Sequence, residues 1–124
     1  MKRMILHKLT LSGDGKKNAT ITFNKGLNVI SGDSDTGKTY AFQCIDYMLG
    51  KENPPKEIIE AKGYNLCELG FYVDEVYYTL TRKLGDKKIF AKNHSTKTYS
   101  NLSCKHDAKN PNNISRFLLN ILLE

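Results

Sequence analysis

The sequence has no apolar run approaching the ~20 residues that a membrane-spanning helix requires. Its N-terminal residues 1–8 are basic, but neither an apolar h-region nor a small-residue cleavage site follows them, so no secretory signal is predicted. The cytoplasm is therefore the expected compartment. Internal repeats are also absent, and a length of 124 residues with 40% hydrophobic content suits a single domain with a modest core.

Cysteine is scarce, and Cys44, Cys67 and Cys104 form an odd set at wide spacing. This pattern excludes a disulfide framework and fits a reducing compartment. Cys104 and His106 offer two metal ligands, whereas a tetrahedral zinc site needs four, or three with a water. We therefore expect these two to be surface-loop residues.

Basic residues outnumber acidic ones, 19 to 13, giving a net charge of +6. Lysines scattered through the predicted turns permit nucleic-acid contact. Because no recognised nucleic-acid motif accompanies them, a solvated basic surface is the favoured interpretation.

One motif names a ligand. Residues 32–39 read Gly-Asp-Ser-Asp-Thr-Gly-Lys-Thr and fit the phosphate-loop pattern G-x-x-x-x-G-K-[ST]. The glycines allow backbone N–H groups to face phosphate oxygens, Lys38 reaches the β- and γ-phosphates, and the Thr39 hydroxyl is the expected Mg²⁺ ligand. The predicted binding residues for ATP and Mg²⁺ are Gly32, Asp33, Ser34, Asp35, Thr36, Gly37, Lys38, Thr39 and Tyr40.

The surroundings of the motif agree with it. A phosphate loop requires a strand before it and a helix after it. Residues 26–31 are a short apolar run typical of a buried strand. Residues 39–49 place apolar side chains on one helical face, and Gly50 is a natural stop.

The rest of the chain predicts strands joined by short turns and one more helix. We expect strands over 5–11, 19–23, 66–73, 76–84 and 87–92, and a loop or short helix over 51–63. Residues 92–110 are polar without a sustained period, which indicates a mobile loop or a weak hairpin. A helix over 114–123 has Asn112 or Asn113 as its N-cap.

Hydrolysis by a phosphate-loop enzyme needs a second acidic strand, whose Asp assists the metal and whose Glu polarises water. Asp74 and Glu75, after an apolar run, are the candidates. The alternative makes them the tip of a hairpin, because strand-forming residues flank them on both sides. We favour the hairpin, and no Leu-Ser-Gly-Gly-type segment is present to act on a second subunit's nucleotide.

Three stretches carry a family resemblance: residues 26–32 leading into the loop, residues 45–50 ending the helix, and residues 78–82, Tyr-Thr-Leu-Thr-Arg. Together they resemble the N-terminal ATP-binding lobe of SMC and RecF/RecN-like ABC-type ATPases, from about Ile5 to Leu84. Asp35 stands where that family commonly has glycine, and the loop ends in Thr39. In this the chain resembles a bacterial branch, several members of which are associated with phage defence.

The resemblance implies an α/β fold, the lobe of an ABC/SMC-type ATPase head with an antiparallel sub-sheet. It implies a single incomplete lobe over 1–124 that binds ATP and Mg²⁺, with Lys16 placed near the nucleotide. The implied partners are a C-terminal lobe in cis or trans, a second head in an ATP-bound dimer, and DNA, in repair or phage defence. Two alternatives remain: a self-contained small NTPase or kinase using Asp74 and Glu75, and a non-catalytic docking module.

Overall fold

The described part of the chain is a six-stranded antiparallel sheet with two helices. The structure, a computed structural model, covers residues 2–23, 35–56 and 62–123, with the backbone alone over 35–39. The sheet order is β2-β1-β3-β4-β5-β6. The elements are β1 (Met4–Ser12), β2 (Ala19–Thr22), α1 (Asp35–Met48), β3 (Leu66–Val73), β4 (Val76–Lys83), β5 (Lys88–Asn93), β6 (Thr98–Ser103) and α2 (Ile114–Leu123).

The predicted α/β fold class is wrong for the described residues. All five pairs of neighbouring strands are antiparallel. The physical reason is connection length, because parallel neighbours need crossovers of a dozen or more residues, whereas short turns join β3 to β4, β4 to β5 and β5 to β6. The strand predicted over 26–31 lies outside the described residues.

The sheet buries one face, and both helices pack there. In β3 the inward residues alternate as Cys67, Leu69, Phe71 and Val73, all buried. Helix α1 adds buried side chains that include Cys44, Tyr47 and Met48, and α2 adds Ile114. On the same face, Phe117 of α2 contacts Tyr78 of β4 edge to face, with ring centroids 5.9 Å apart. The hydrophobic core lies between this face of the sheet and the two helices.

Most of the predicted elements are confirmed, and two differ: α1 begins earlier than predicted, and β6 is an additional strand. Helix α1 begins at Asp35, earlier than predicted, and Gly50 follows its end with a positive φ of 123°. Strand β6 pairs fully with β5, within the region expected to be a loop or weak hairpin. The sequence does not predict β6, because Leu102 is its only buried residue. The strand is held mainly by backbone hydrogen bonds to β5. The Asn113 cap is confirmed, since its Oδ1 accepts the Arg116 N–H at 2.8 Å.

The three cysteines are free and buried. The expectation that Cys104 lies in a surface loop is therefore wrong, although His106 is exposed. Across the ranges described, no three or more His, Cys, Asp or Glu residues group in a way that could hold a metal ion. Neither of the two helices is long and apolar enough to cross a membrane.

Candidate nucleotide-binding site

The start of α1 falls inside the phosphate-loop motif. The helix begins at Asp35 and continues through Lys38 and Thr39. The predicted residues Gly32, Asp33 and Ser34 lie outside the described residues. A 14-residue helix that begins at this point presents the positive end of its dipole, and its unpaired N–H groups, at Asp35. The backbone over 35–39 and the residue types thus fit a phosphate group with Mg²⁺.

A cavity of about 300 Å³ borders α1 at Tyr40, the residue that follows the motif. Tyr40 is buried and forms part of its wall. The wall combines aromatic rings, prolines, glycines and one leucine, namely Tyr40, Pro54, Pro55, Gly63, Tyr64, Leu84 and Gly85. Few charges border this space, so its surface suits a flat apolar group more than an ion.

The β1–β2 turn packs against one wall of this cavity. The Lys16 ammonium lies 5.9 Å from the centre of the Tyr64 ring, and the Tyr64 hydroxyl donates to the Lys17 carbonyl at 2.9 Å. A Cβ at Gly63 would lie 2.6 Å from the Lys16 side chain. Lys16, which the resemblance placed near the nucleotide, therefore lies beside a residue that lines the cavity.

The other end of α1 is held by Arg82 from β4. The helix has no basic residue in its last turn, so its terminal carbonyls lack a cation of their own. Arg82 is 1% exposed and donates four hydrogen bonds to backbone carbonyls. Its acceptors are Tyr47 (2.6 Å), Lys51 (2.7 Å), Asp86 (2.7 Å) and Glu52 (3.2 Å).

Tyr47 completes this contact between α1 and β4. The Arg82 guanidinium lies 3.5 Å from the centre of its ring. The Gly85 N–H donates to the Tyr47 hydroxyl at 2.8 Å, and that hydroxyl lies 2.9 Å from the Lys83 carbonyl oxygen. Burial raises the pKa of Tyr47 above its ordinary value, against a smaller lowering by the Gly85 N–H. The neutral phenol is thus the form that the fold accommodates.

Two buried thiols nearby, Cys44 and Cys67, form a hydrogen-bonded pair. The hydrogen bond between Cys44 of α1 and Cys67 of β3, together with burial, raises the pKa of Cys67 well above its ordinary value. Both thiols are fully buried. The same hydrogen bond lowers the pKa of Cys44, but burial withholds both thiols from solvent, so they serve as structural contacts between helix and sheet.

Asp74 and Glu75 form the tip of the β3–β4 hairpin, where Val73 pairs with Val76. The predicted hairpin is confirmed, and Asp74 adopts a positive φ of 54°. The Tyr40 cavity adjoins the opposite end of these strands, at Leu84 and Gly85. Eight strand residues at ~3.3 Å each separate the two ends by about 26 Å. The catalytic role of this pair stays a prediction that the placement does not favour.

Arg82 belongs to the Tyr-Thr-Leu-Thr-Arg stretch that carries the family resemblance, but no role was predicted for it. Its signal was available, because alternation along β4 puts Tyr78, Leu80 and Arg82 on one side of the strand. An arginine at an inward position needs partners when it is buried. The identity of those partners could not be predicted. They are the backbone carbonyls of Tyr47 in α1, of Lys51 and Glu52 after the helix, and of Asp86 in the β4–β5 turn.

These features define a candidate phosphate site built on a helix whose far end is anchored by a strand. The chain matches the family model described as AAA domain over residues 10–121. It belongs to this family of P-loop AAA-type ATPases, which indicates a nucleotide-binding, ATPase-like function. No curated protein matches the chain.

Proposed function

We propose that the chain binds ATP with Mg²⁺ through residues 32–40 and forms half of an ABC/SMC-like, DNA-associated ATPase head. The observation that carries the proposal is the start of α1 at Asp35, inside a complete phosphate-loop motif, in a chain of the AAA domain family. ATP and Mg²⁺ supply the phosphoryl chemistry when they are bound.

Each residue of the proposed site has a distinct role. Backbone N–H groups of Thr36, Gly37 and Lys38 orient phosphate oxygens, the Lys38 ammonium neutralises their charge, and the Thr39 hydroxyl holds the metal. Tyr40 follows Thr39 in α1 and borders the cavity, whose largely apolar wall would suit the flat base. Arg82 acts from a distance as a positioning residue, because it holds the C-terminal end of the same helix.

We further propose that the chain is one incomplete lobe and does not hydrolyse ATP alone. Asp74 and Glu75 lie at the far end of the sheet from the cavity. The missing acid and base would come from a C-terminal lobe, in cis or in trans, with a second head in an ATP-bound dimer and DNA as the client. In support, α2 exposes Leu119 and Leu123, at 51% and 64%, and exposed apolar side chains of this kind mark docking surfaces.

The test compares melting temperatures with and without Mg-ATP, together with phosphate release. Ligand binding to the folded state stabilises by about 2.7 kcal/mol at a hundredfold excess over Kd, which raises the melting temperature by several degrees for a domain of this size. We expect a shift in the wild type, no shift in Lys38→Ala, and no turnover in either. Lys97→Ala is the matched control, because Lys97 is exposed in the β5–β6 turn, outside the motif and outside the wall of the cavity.

The outcomes separate the alternatives. Turnover by the purified chain that Glu75→Gln abolishes would replace the proposal with a self-contained NTPase. An absent shift would indicate a docking module or a lobe that binds nucleotide only together with its missing half. A shift retained in Lys38→Ala would move the nucleotide away from residues 32–40.

A further inference from the structure

The second face of the sheet carries a different surface, here called the open face. It is defined by the outward residues of the strands: in β3 and β4 these are Leu66, Glu68, Gly70, Tyr72, Tyr77, Thr79, Thr81 and Lys83. Both helices pack on the other face. Within the described ranges, no helix covers the open face.

Two aromatic groups stand on the open face. Phe90 of β5 and Tyr99 of β6 stack with ring centroids 5.2 Å apart, and they are 38% and 57% exposed. Tyr72 and Tyr77 lie 4.8 Å apart, with His7 in edge contact with both at 5.7 and 5.6 Å. Large rings are normally withdrawn from solvent, so Phe90 and Tyr99, together with Tyr72 at 37% exposure, make this face a candidate binding surface.

Lysines are interleaved with these rings. By strand register Lys8, Lys83, Lys88 and Lys92 share the open face. The Lys92 ammonium lies 5.2 Å from the centre of the Tyr99 ring. The acidic groups are fewer: Glu68 lies within the face, and Asp86 lies at the edge of a groove of about 260 Å³ beside Phe90 that Lys83 and Lys88 also line.

We propose that the open face binds single-stranded nucleic acid, with bases stacked on Phe90 and Tyr99 and phosphates held by the surrounding lysines. Exposed aromatic rings and cations on one surface match the two components of such a strand, its bases and its charged backbone. A duplex hides its base faces and would leave the rings unused. A second copy of this chain is disfavoured as occupant, because each copy carries a net charge of +6.

This surface is separate from the residues 32–40 of the proposed nucleotide site, and the inference does not depend on ATP binding. Its test therefore omits nucleotide and Mg²⁺, so that its failure leaves the proposed ATP binding standing and bears only on the proposed nucleic-acid client. Lys92 and Tyr99 are the residues on which both components of the strand would meet.

The experiment titrates the full chain into fluorescein-labelled oligothymidylate, oligouridylate and a duplex of equal length, and follows fluorescence anisotropy over a series of salt concentrations. We expect both single strands to bind more tightly than the duplex, with affinity falling as salt rises. Tyr99→Ala and Phe90→Ala should each weaken binding about tenfold, because every stacked base contributes. Lys92→Gln should weaken binding and lower the salt dependence.

Phe42→Ala is the matched control, because Phe42 is 53% exposed but belongs to α1. It should leave the affinity unchanged, and circular dichroism melts confirm that each variant folds. The chain contains no tryptophan, so quenching of tyrosine emission by oligothymidylate gives a second reading, and it should fall in Tyr99→Ala. Absence of binding by the wild type, preference for the duplex, or equal losses in Phe42→Ala and Tyr99→Ala would each overturn the proposal.

Discussion

Replacement of Arg82 with methionine tests how the phosphate-loop helix is held. Methionine keeps part of the apolar stem but removes four hydrogen bonds and the contact with the Tyr47 ring. Hydrogen bonds to a charged group are worth about 1.5–3 kcal/mol each, which sums to roughly 6–12 kcal/mol. The burial of the guanidinium costs several kcal/mol and offsets part of that sum.

We therefore expect Arg82→Met to lower the free energy of unfolding by about 3–5 kcal/mol, the range typical of breaking a buried charged network. Small domains have only about 5–15 kcal/mol in total, so the variant should be near its stability limit. The stability of Arg82→Lys should lie between those of the wild type and Arg82→Met. A lysine ammonium keeps the charge, but it cannot reach the four carbonyls that the planar guanidinium contacts.

Urea unfolding followed by far-ultraviolet circular dichroism measures both variants. Arg116→Met is the matched control, because Arg116 is exposed on α2, and it should change stability by less than about 0.5 kcal/mol. If Arg82→Met unfolds within about 1 kcal/mol of the wild type, desolvation cancels the hydrogen bonds, and Arg82 is not what anchors α1.

Three further predictions follow from single contacts. Gly70→Ala places a Cβ on the Tyr77 hydroxyl and should cost about 1–3 kcal/mol in urea unfolding; Tyr77→Phe in the same chain should recover part of that loss, and no recovery would contradict the clash. Because burial raises the pKa of Tyr47 above 10.0, its contribution is present below pH 10 and is lost as pH rises further. The stability of Tyr47→Phe should therefore fall less steeply above pH 10 than that of the wild type. Asn113→Ala removes the α2 cap and should lower stability by about 1 kcal/mol, and an unchanged urea midpoint would exclude the cap.

Local patterns allowed much of the fold to be predicted. The strands around residues 5–11 and 19–23, the β3–β4 hairpin and the Asn113 cap all depend on residues close in sequence, and alternation or a single polar side chain reveals them. Strand β6 was missed because its inward positions are mostly small polar residues. Its pairing depends on backbone bonds to β5, which the side-chain pattern does not record.

The phosphate-loop motif of the candidate site could be predicted from the sequence, but the Arg82 contacts that hold α1 could not. Residue spacing alone indicated a helix at the loop, and α1 begins within the motif. The network around Arg82 joins residues separated by 30 or more positions in the chain. No local period encodes such a contact, so only the signal of an inward arginine was available in the sequence.

The error in fold class and the open face have a common cause. The α/β expectation came from the loop motif and its resemblance, and a parallel sheet of that class has both faces covered by crossover helices. In the described residues the strands return by short turns instead, so both helices lie on one face. An antiparallel sheet of this kind can leave its second face in solvent, but that face is normally polar. Here Phe90, Tyr99 and Tyr72 stand among lysines on it, and solvation alone gives no reason for three exposed rings. The proposed single-stranded ligand would account for this composition, and the stacking experiment tests it directly.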